Sequence, residues 1–228
     1  MNKIHDLGRV LVVAPHPDDE VLGCGGTMAR LAEEGHAVHV LVATRGQPPA
    51  FPEEGVARVR AEMKKAHALL DIAETHELDL PAAALDTVPA AQVNAEIGDI
   101  VQAVSPDTLF LPFYGDIHGD HAIVFQAAMV AARPRHNRAP ARILCYETLS
   151  ETNWYAPPVT PAFIPNVYID IADTLERKLD AFKCFESQVR PFPEERSVEA
   201  LEALARSRGA TVHLRAAEAF ANIRQIVR

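Results

Sequence analysis

Val10-Leu11-Val12-Val13-Ala14 runs directly into Pro15-His16-Pro17-Asp18-Asp19-Glu20. A short, β-branched, uninterrupted apolar run is the pattern of a strand buried on both faces, as in a parallel sheet. Neither proline can donate to a sheet ladder, so the strand stops at the first of them. Beyond the acidic residues, Val21-Leu22 and the spacing Met28, Leu31, Ala32 predict a helix that Gly35 closes. One histidine and three carboxylates are thereby crowded into the turn between strand and helix. In open α/β sheets ligands bind at that carboxyl end of the strands, and a cation is the simplest relief for three adjacent negative charges. Asp18 or Asp19 as a simple helix N-cap is the competing reading, but a cap needs one short acceptor and leaves the other groups unexplained. A dinucleotide site fits poorly. In Gly23-Cys24-Gly25-Gly26-Thr27-Met28 a methionine stands where G-x-G-x-x-G has its last glycine, and the acidic turn would repel a pyrophosphate.

Outward from this turn, strand and helix patterns alternate. A second strand is predicted over Ala37–Ala43. It ends in Thr44-Arg45-Gly46 and a proline-rich loop from Gln47 to Gly55, placed to wall or cover a site beside the first turn. Helical spacing marks Val56–Leu70 and Ala91–Val104, and Asp107–Leu111 reads as a strand stopped by Pro112. After Tyr114-Gly115-Asp116-Ile117-His118-Gly119-Asp120-His121 comes an apolar helix, Ala122–Ala132. Later strands are predicted at Ile143–Tyr146 and Val167–Ile171, and helices at Asp173–Gln188, Ser197–Ser207 and Ala216–Val227. The segment Thr152–Pro165, rich in proline and aromatic residues, reads as an ordered surface loop. With no internal repeat or linker, residues 1–228 read as one α/β domain, a Rossmann-like, doubly wound, mostly parallel sheet.

Composition narrows the function. The 228 residues suffice for one well-buried domain and are few for two. With 31 acidic against 22 basic residues the net charge is −9, which argues against a nucleic-acid or anionic-membrane surface. No apolar run approaches a membrane span and Met1–His5 is no signal peptide. Cys24, Cys145 and Cys184 are odd in number and show no C-x-x-C pair, so free thiols in a reducing cytoplasm are expected.

His118-x-Asp120-His121 repeats the logic of the first turn: it follows a strand, precedes a helix, and gathers histidine and aspartate. Two such turns at the carboxyl ends of parallel strands share one edge of the sheet. Together they offer the mixed nitrogen and oxygen donors that zinc accepts, and iron(II) as well. The rival for this segment is a capped helix bearing two surface histidines. His5, His36, His39, His67, His76, His136 and His213 read as surface or locally bonded residues. Arg45, Tyr114, Asn153, Trp154 and Tyr155 are candidates for a substrate pocket by position and chemistry. For Trp154 and Tyr155, packing of the loop or a subunit contact is an equal alternative.

The two turns together resemble the LmbE-like or PIG-L family, metal-dependent N-deacetylases acting on N-acetylated amino sugars. The resemblance spans nearly the whole chain and takes in Thr44-Arg45-Gly46, Arg60 with Glu62, Arg133-Pro134 and Ala217-Glu218-Ala219-Phe220. It departs at Pro193-Glu194-Glu195-Arg196-Ser197, where the branch serving bacterial surface sugars and natural products often has Pro-His-Pro-Arg-Ser. The resemblance implies that His16, Asp19 and His121 hold the metal, with Asp18 as general base and His118 opposite it across the reacting carbon. It further implies that Asp120 orients His118, that Glu20 lies behind the ligands, that Arg60 touches sugar hydroxyls, and that the protein is a homo-oligomer. The expected reaction is zinc-dependent removal of acetyl from a small N-acetylated amino sugar, with Asp18 or His118 protonating the amine. The rivals are metal-assisted hydrolysis of another amide or a phosphoester, and a non-catalytic sugar-binding protein.

Overall fold

The computed structural model describes residues 7–135, 139–154 and 159–227. The chain order is β1 (Val10–Ala14), α1 (Asp19–Glu33), β2 (Val38–Arg45), α2 (Glu53–Leu69), β3 (Glu74–Pro81), a 3₁₀ turn at Leu85–Thr87, α3 (Ala90–Val104), β4 (Thr108–Pro112), α4 (Gly119–Ala131), β5 (Arg142–Tyr146), β6 (Val167–Asp170), α5 (Leu175–Lys183), α6 (Val198–Thr211) and β7 (Ala217–Gln225). The strands form one sheet in the order β3-β2-β1-β4-β5-β7-β6. Strands β1 to β5 are parallel, and β7 runs antiparallel to both neighbours. The expected doubly wound α/β architecture is therefore the one found.

The alternating faces of β1 explain the two cores. Val10, Val12 and Ala14 look into one, with Met28, Met63, Phe182 and Phe220. Leu11 and Val13 look into the other, with Ile97, Val124 and Phe113. Every residue of β1 and β4 is buried, as their continuous apolar patterns require. The chain leaves β1 toward β2 and returns to β4 on its other side, so the β1/β4 junction is the switch point where such sheets open a crevice.

Two elements differ from the expectations. Ala216–Val227, expected as a helix, is strand β7, inserted between β5 and β6. Its alanine and glutamate content favours a helix locally, but the sheet offers it two ladders of backbone partners. Strand β3, which the periodicity does not announce, is the polar edge strand Glu-Thr-His-Glu-Leu-Asp-Leu-Pro. An edge strand exposes one side to water and needs no apolar run.

Strand β7 also carries a buried ion pair into helix α1. Lys178 Nζ donates to Leu22 O at 2.8 Å and pairs with Glu218 at 2.5 Å, while Glu218 accepts from the amides of Gly26 and Thr27 at 2.9 and 2.7 Å. Leu22 O and Gly26 N are the carbonyl and amide that an α-helix pairs with each other. Glycine at 23 and 26 lets the helix pack this closely. A Cβ on Gly23 would lie 2.2 Å from the Tyr146 ring, and one on Gly26 2.7 Å from Ile171.

Candidate active site

Both histidine-bearing turns converge at the β1/β4 junction. After β1 the chain turns at Pro15-His16-Pro17, and Asp18 takes a left-handed φ of +114° before α1 begins. That conformation costs a non-glycine residue of order 1–3 kcal/mol. It is held by Asp18 O accepting from Val21 N and Leu22 N, and by Asp18 N donating to Glu20 Oε2 at 3.1 Å. Glu20 is fully buried and is itself fixed by His67 Nε2 at 3.1 Å. Asp18 makes no side-chain cap to the helix, so the N-cap reading of the acidic turn falls away.

Asp19 is the centre of the cluster. Its Oδ2 accepts from His16 N at 2.9 Å and lies 3.1 Å from His16 Nδ1 and 3.3 Å from His121 Nε2. The far nitrogen of each histidine has a carboxylate of its own. His16 Nε2 meets Asp120 Oδ2 at 3.0 Å, and His121 Nδ1 meets Asp116 Oδ2 at 2.7 Å. Asp116 in turn accepts from Thr152 Oγ1 at 2.6 Å, and Asp120 accepts from the amides of Ala83 and Leu85. Histidines that ligate metals characteristically donate their second ring N–H to such a carboxylate.

Among the described residues, Asp19 Oδ1 and His121 Nε2 are buried without a hydrogen-bond partner. An orphaned carboxylate oxygen and imidazole nitrogen, each more than a lone polar group can bear when buried, side by side with His16 Nδ1, suit a divalent cation. His16, Asp19 and His121 thus fit the group that the sequence expects. The same carboxylates favour the charged forms of the two imidazoles. Burial lowers the affinity of His16 for a proton, but Asp120 and Asp19 outweigh it and raise its pKa to about 9. Burial likewise opposes protonation of His121, yet Asp19 and Asp116 raise it to about 10. Asp19, despite its burial, is held well below the usual carboxylate range by the two imidazoles.

Asp18 faces outward into the cleft. Burial pushes its carboxyl up to about 7, Asp19 and Glu20 add to the rise, and Arg196 works against it. Arg196 Nη1 donates to Asp18 Oδ2 at 2.5 Å and its Nε to Ser150 Oγ at 2.9 Å. Sequence reading did not single out Arg196 for the site. It lies far along the chain, and the one signal was its place in the segment that departs from the family pattern.

Asp120 does hydrogen-bond to His118, but through its backbone rather than its carboxylate. The Asp120 carboxylate belongs to His16, and its closer oxygen stands 4.0 Å from His118 Nδ1. What fixes His118 is the Asp120 backbone amide, which donates to Nδ1 at 3.2 Å and makes His118 the N-cap of α4. A neutral His118 therefore carries its proton on Nε2. Burial, and next the His16 charge, lower its pKa below the ordinary 6.5.

These groups border a cleft of about 390 Å³ whose walls include His16, Asp18, Arg45, Arg60, His118 and Arg196. Arg45 reaches it but pairs with Glu53, and Arg60 reaches it while bound to Glu77 at 3.1 Å and Asp79 at 3.0 Å. Tyr114, expected in the pocket, is not among the lining residues; its ring packs on Phe113 and Phe125. Asn153 bonds to Glu195 and Trp154 is exposed, while Tyr155 lies outside the described residues. The proline-rich loop does form a wall, through Phe51, Pro52 and Gly55.

Over 206 residues, 84% of this chain and 73% of the relative, the sequence is 29% identical to diacetylchitobiose deacetylase of Thermococcus kodakarensis. The N,N'-diacetylchitobiose deacetylase of Pyrococcus horikoshii superposes with a TM-score of 0.77 over 98% of this chain and 86% of its own, at 24% identity. GalB, the 4-carboxy-2-hydroxymuconate hydratase of Pseudomonas putida KT2440, superposes with a TM-score of 0.74 over 97% and 98%, at 19% identity. The two structural likenesses establish the fold alone, and a fold can carry more than one chemistry. The family profile described as PIG-L, GlcNAc-PI de-N-acetylase, matches residues 11–132, which include both histidine-bearing turns and more than half of the chain. The protein belongs to the PIG-L family.

Proposed function

We propose that the protein is a metal-dependent N-deacetylase that hydrolyses the acetamide of a small N-acetylated amino sugar, releasing acetate and a free amine. The observation that carries this reading is the pair of carboxylate-backed histidines around Asp19, with an unpartnered nitrogen and oxygen between them and Asp18 beside them. His16, Asp19 and His121 would hold the ion, zinc or iron(II). When bound it would polarise the acetamide carbonyl and make water acidic enough to lose a proton near neutral pH.

The other steps fall to this chain's own side chains. Asp18 takes a proton from the attacking water as an O–C bond forms at the carbonyl carbon. Its pKa near 7 suits a base that must later become an acid. His118, neutral with its proton on Nε2, donates a hydrogen bond to the oxygen that gains negative charge, a contact worth about 3 kcal/mol in other enzymes. As the C–N bond breaks, the proton held by Asp18 passes to the departing nitrogen. This division gives the acid role to Asp18 rather than to His118. Arg196 keeps Asp18 aimed and lowers the cost of its charge. The cleft volume suits a mono- or disaccharide and falls within the range of small-molecule sites.

The test is acetate release from a panel of N-acetylhexosamines, their glycosides and nucleotide conjugates, on protein of known metal content. Release that a chelator stops and zinc restores is expected. Asp18→Ala should retain metal and lose turnover, and His121→Ala should lose both. Metal-loaded protein that frees no acetate from any of these sugars, or a metal-free His121→Ala that is fully active, would refute the reading.

A further inference from the structure

A second cluster of imidazole and carboxylate groups lies on the edge of the sheet. In the parallel ladder between β2 and β3, His39 pairs with Glu74 and Leu41 with His76. Alternation along the strands puts His39, Glu74 and His76 on one face. Their facing atoms converge. Nδ1 of His39 is 3.4 Å from Nε2 of His76 and 3.6 Å from Oε2 of Glu74, and the last two atoms are 3.8 Å apart. Three points so spaced lie on a circle of radius about 2.1 Å, which is the length of a zinc–nitrogen or zinc–oxygen bond. The two imidazole rings are stacked, with centroids 5.6 Å apart and planes 13° from parallel.

We propose that His39, Glu74 and His76 form a second divalent transition-metal site, separate from the catalytic cluster, which clasps the edge strand β3 to β2. Two imidazoles and one carboxylate are the donor set of three-ligand zinc sites, and nickel(II) or cobalt(II) would suit it too. Both histidine side chains are mostly buried while Glu74 is exposed, leaving a side open for water as the fourth ligand. Arg9, a neighbouring cation, has its guanidinium tied to Val104 O at 2.8 Å. The clasp has a route to the cleft through the strand it holds. Beyond β3, Ala82 donates to Arg45 O and Ala83 to Asp120, and both alanines line the cleft.

The experiment counts bound zinc by chelator competition and metal analysis, and needs no substrate. Wild-type protein should take up two equivalents. The double variant His39→Ala/His76→Ala should take up one, and His121→Ala should keep the equivalent at the edge. Glu74→Gln, an exposed change that leaves the core untouched, should weaken the second equivalent about tenfold or more. Zinc in excess should raise the melting temperature of the wild type further than that of the double variant. A wild type and a His39→Ala/His76→Ala variant that bind the same number of equivalents would overturn the proposal whatever the enzyme's activity.

Discussion

Arg196→Gln isolates the electrostatic part of the site. The guanidinium sits 2.5 Å from the Asp18 carboxylate, which is 2% exposed, and Arg196 itself is shielded from most of the solvent. Unit charges about 4 Å apart at an effective dielectric near 20 attract by about 4 kcal/mol. Measured neighbours of this kind lower an aspartate by roughly 1–3 pKa units. Removing the cation leaves Asp18 buried beside Asp19 and Glu20, so its pKa rises above about 7. Asp18 acts as a base only when deprotonated, so the rate falls on the acid side. A rise of roughly 1–3 units carries the acid limb of the rate profile up by the same amount. The assay is kcat/KM against pH with saturating zinc. The acid limb of the Arg196→Gln profile should move to higher pH and meet the wild-type plateau once Asp18 ionises. A uniform loss across the profile with the limb unmoved would refute the electrostatic reasoning and leave Arg196 a purely geometric support.

Two further expectations address the metal and the fold. Asp116→Ala removes the partner of His121 Nδ1 and frees the ring to turn. Zinc affinity should fall about 10- to 100-fold, or roughly 1.4–2.7 kcal/mol, and a chelator competition that finds it unchanged would exclude this role. Lys178→Met strands Glu218 inside the protein with its charge unpaired. The cost should be about 3–5 kcal/mol in urea unfolding, with Lys178→Met/Glu218→Gln recovering part of it. A single variant within 1 kcal/mol of wild type, by the same measure, would show that the backbone bonds of α1 hold without the pair.

The two histidine-bearing turns were legible because their signal is local. An apolar run, two prolines and a knot of acidic residues fall within a few positions, and a strand–turn–helix unit folds much the same way wherever it occurs. The doubly wound sheet was legible for the same reason, through its alternation of apolar runs and helical spacing. The misread elements lack such a signal. The Ala-Glu-Ala-Phe stretch of β7 has helical propensity, and only the ladders offered by β5 and β6 make it a strand. Sheet formation depends on neighbours that the segment does not contain. Strand β3, with its exposed side, shows no apolar period at all.

Within the site the same division holds. Residue types and spacing determined that His16, Asp18, Asp19, His118 and His121 would meet at one sheet edge, because the strand ends that bear them lie side by side in any parallel sheet of this order. Which carboxylate serves which imidazole was decided by tertiary structure. Asp120, two residues from His118, instead bonds His16 across the β1/β4 junction, and Asp116 takes His121. Arg196 comes from the segment just before α6 to reach Asp18, and His39 meets Glu74 and His76 only through the register of β2 on β3. Hydrogen bonds and ion pairs act over about 3 Å, a distance that chain separation does not encode and that packing alone sets.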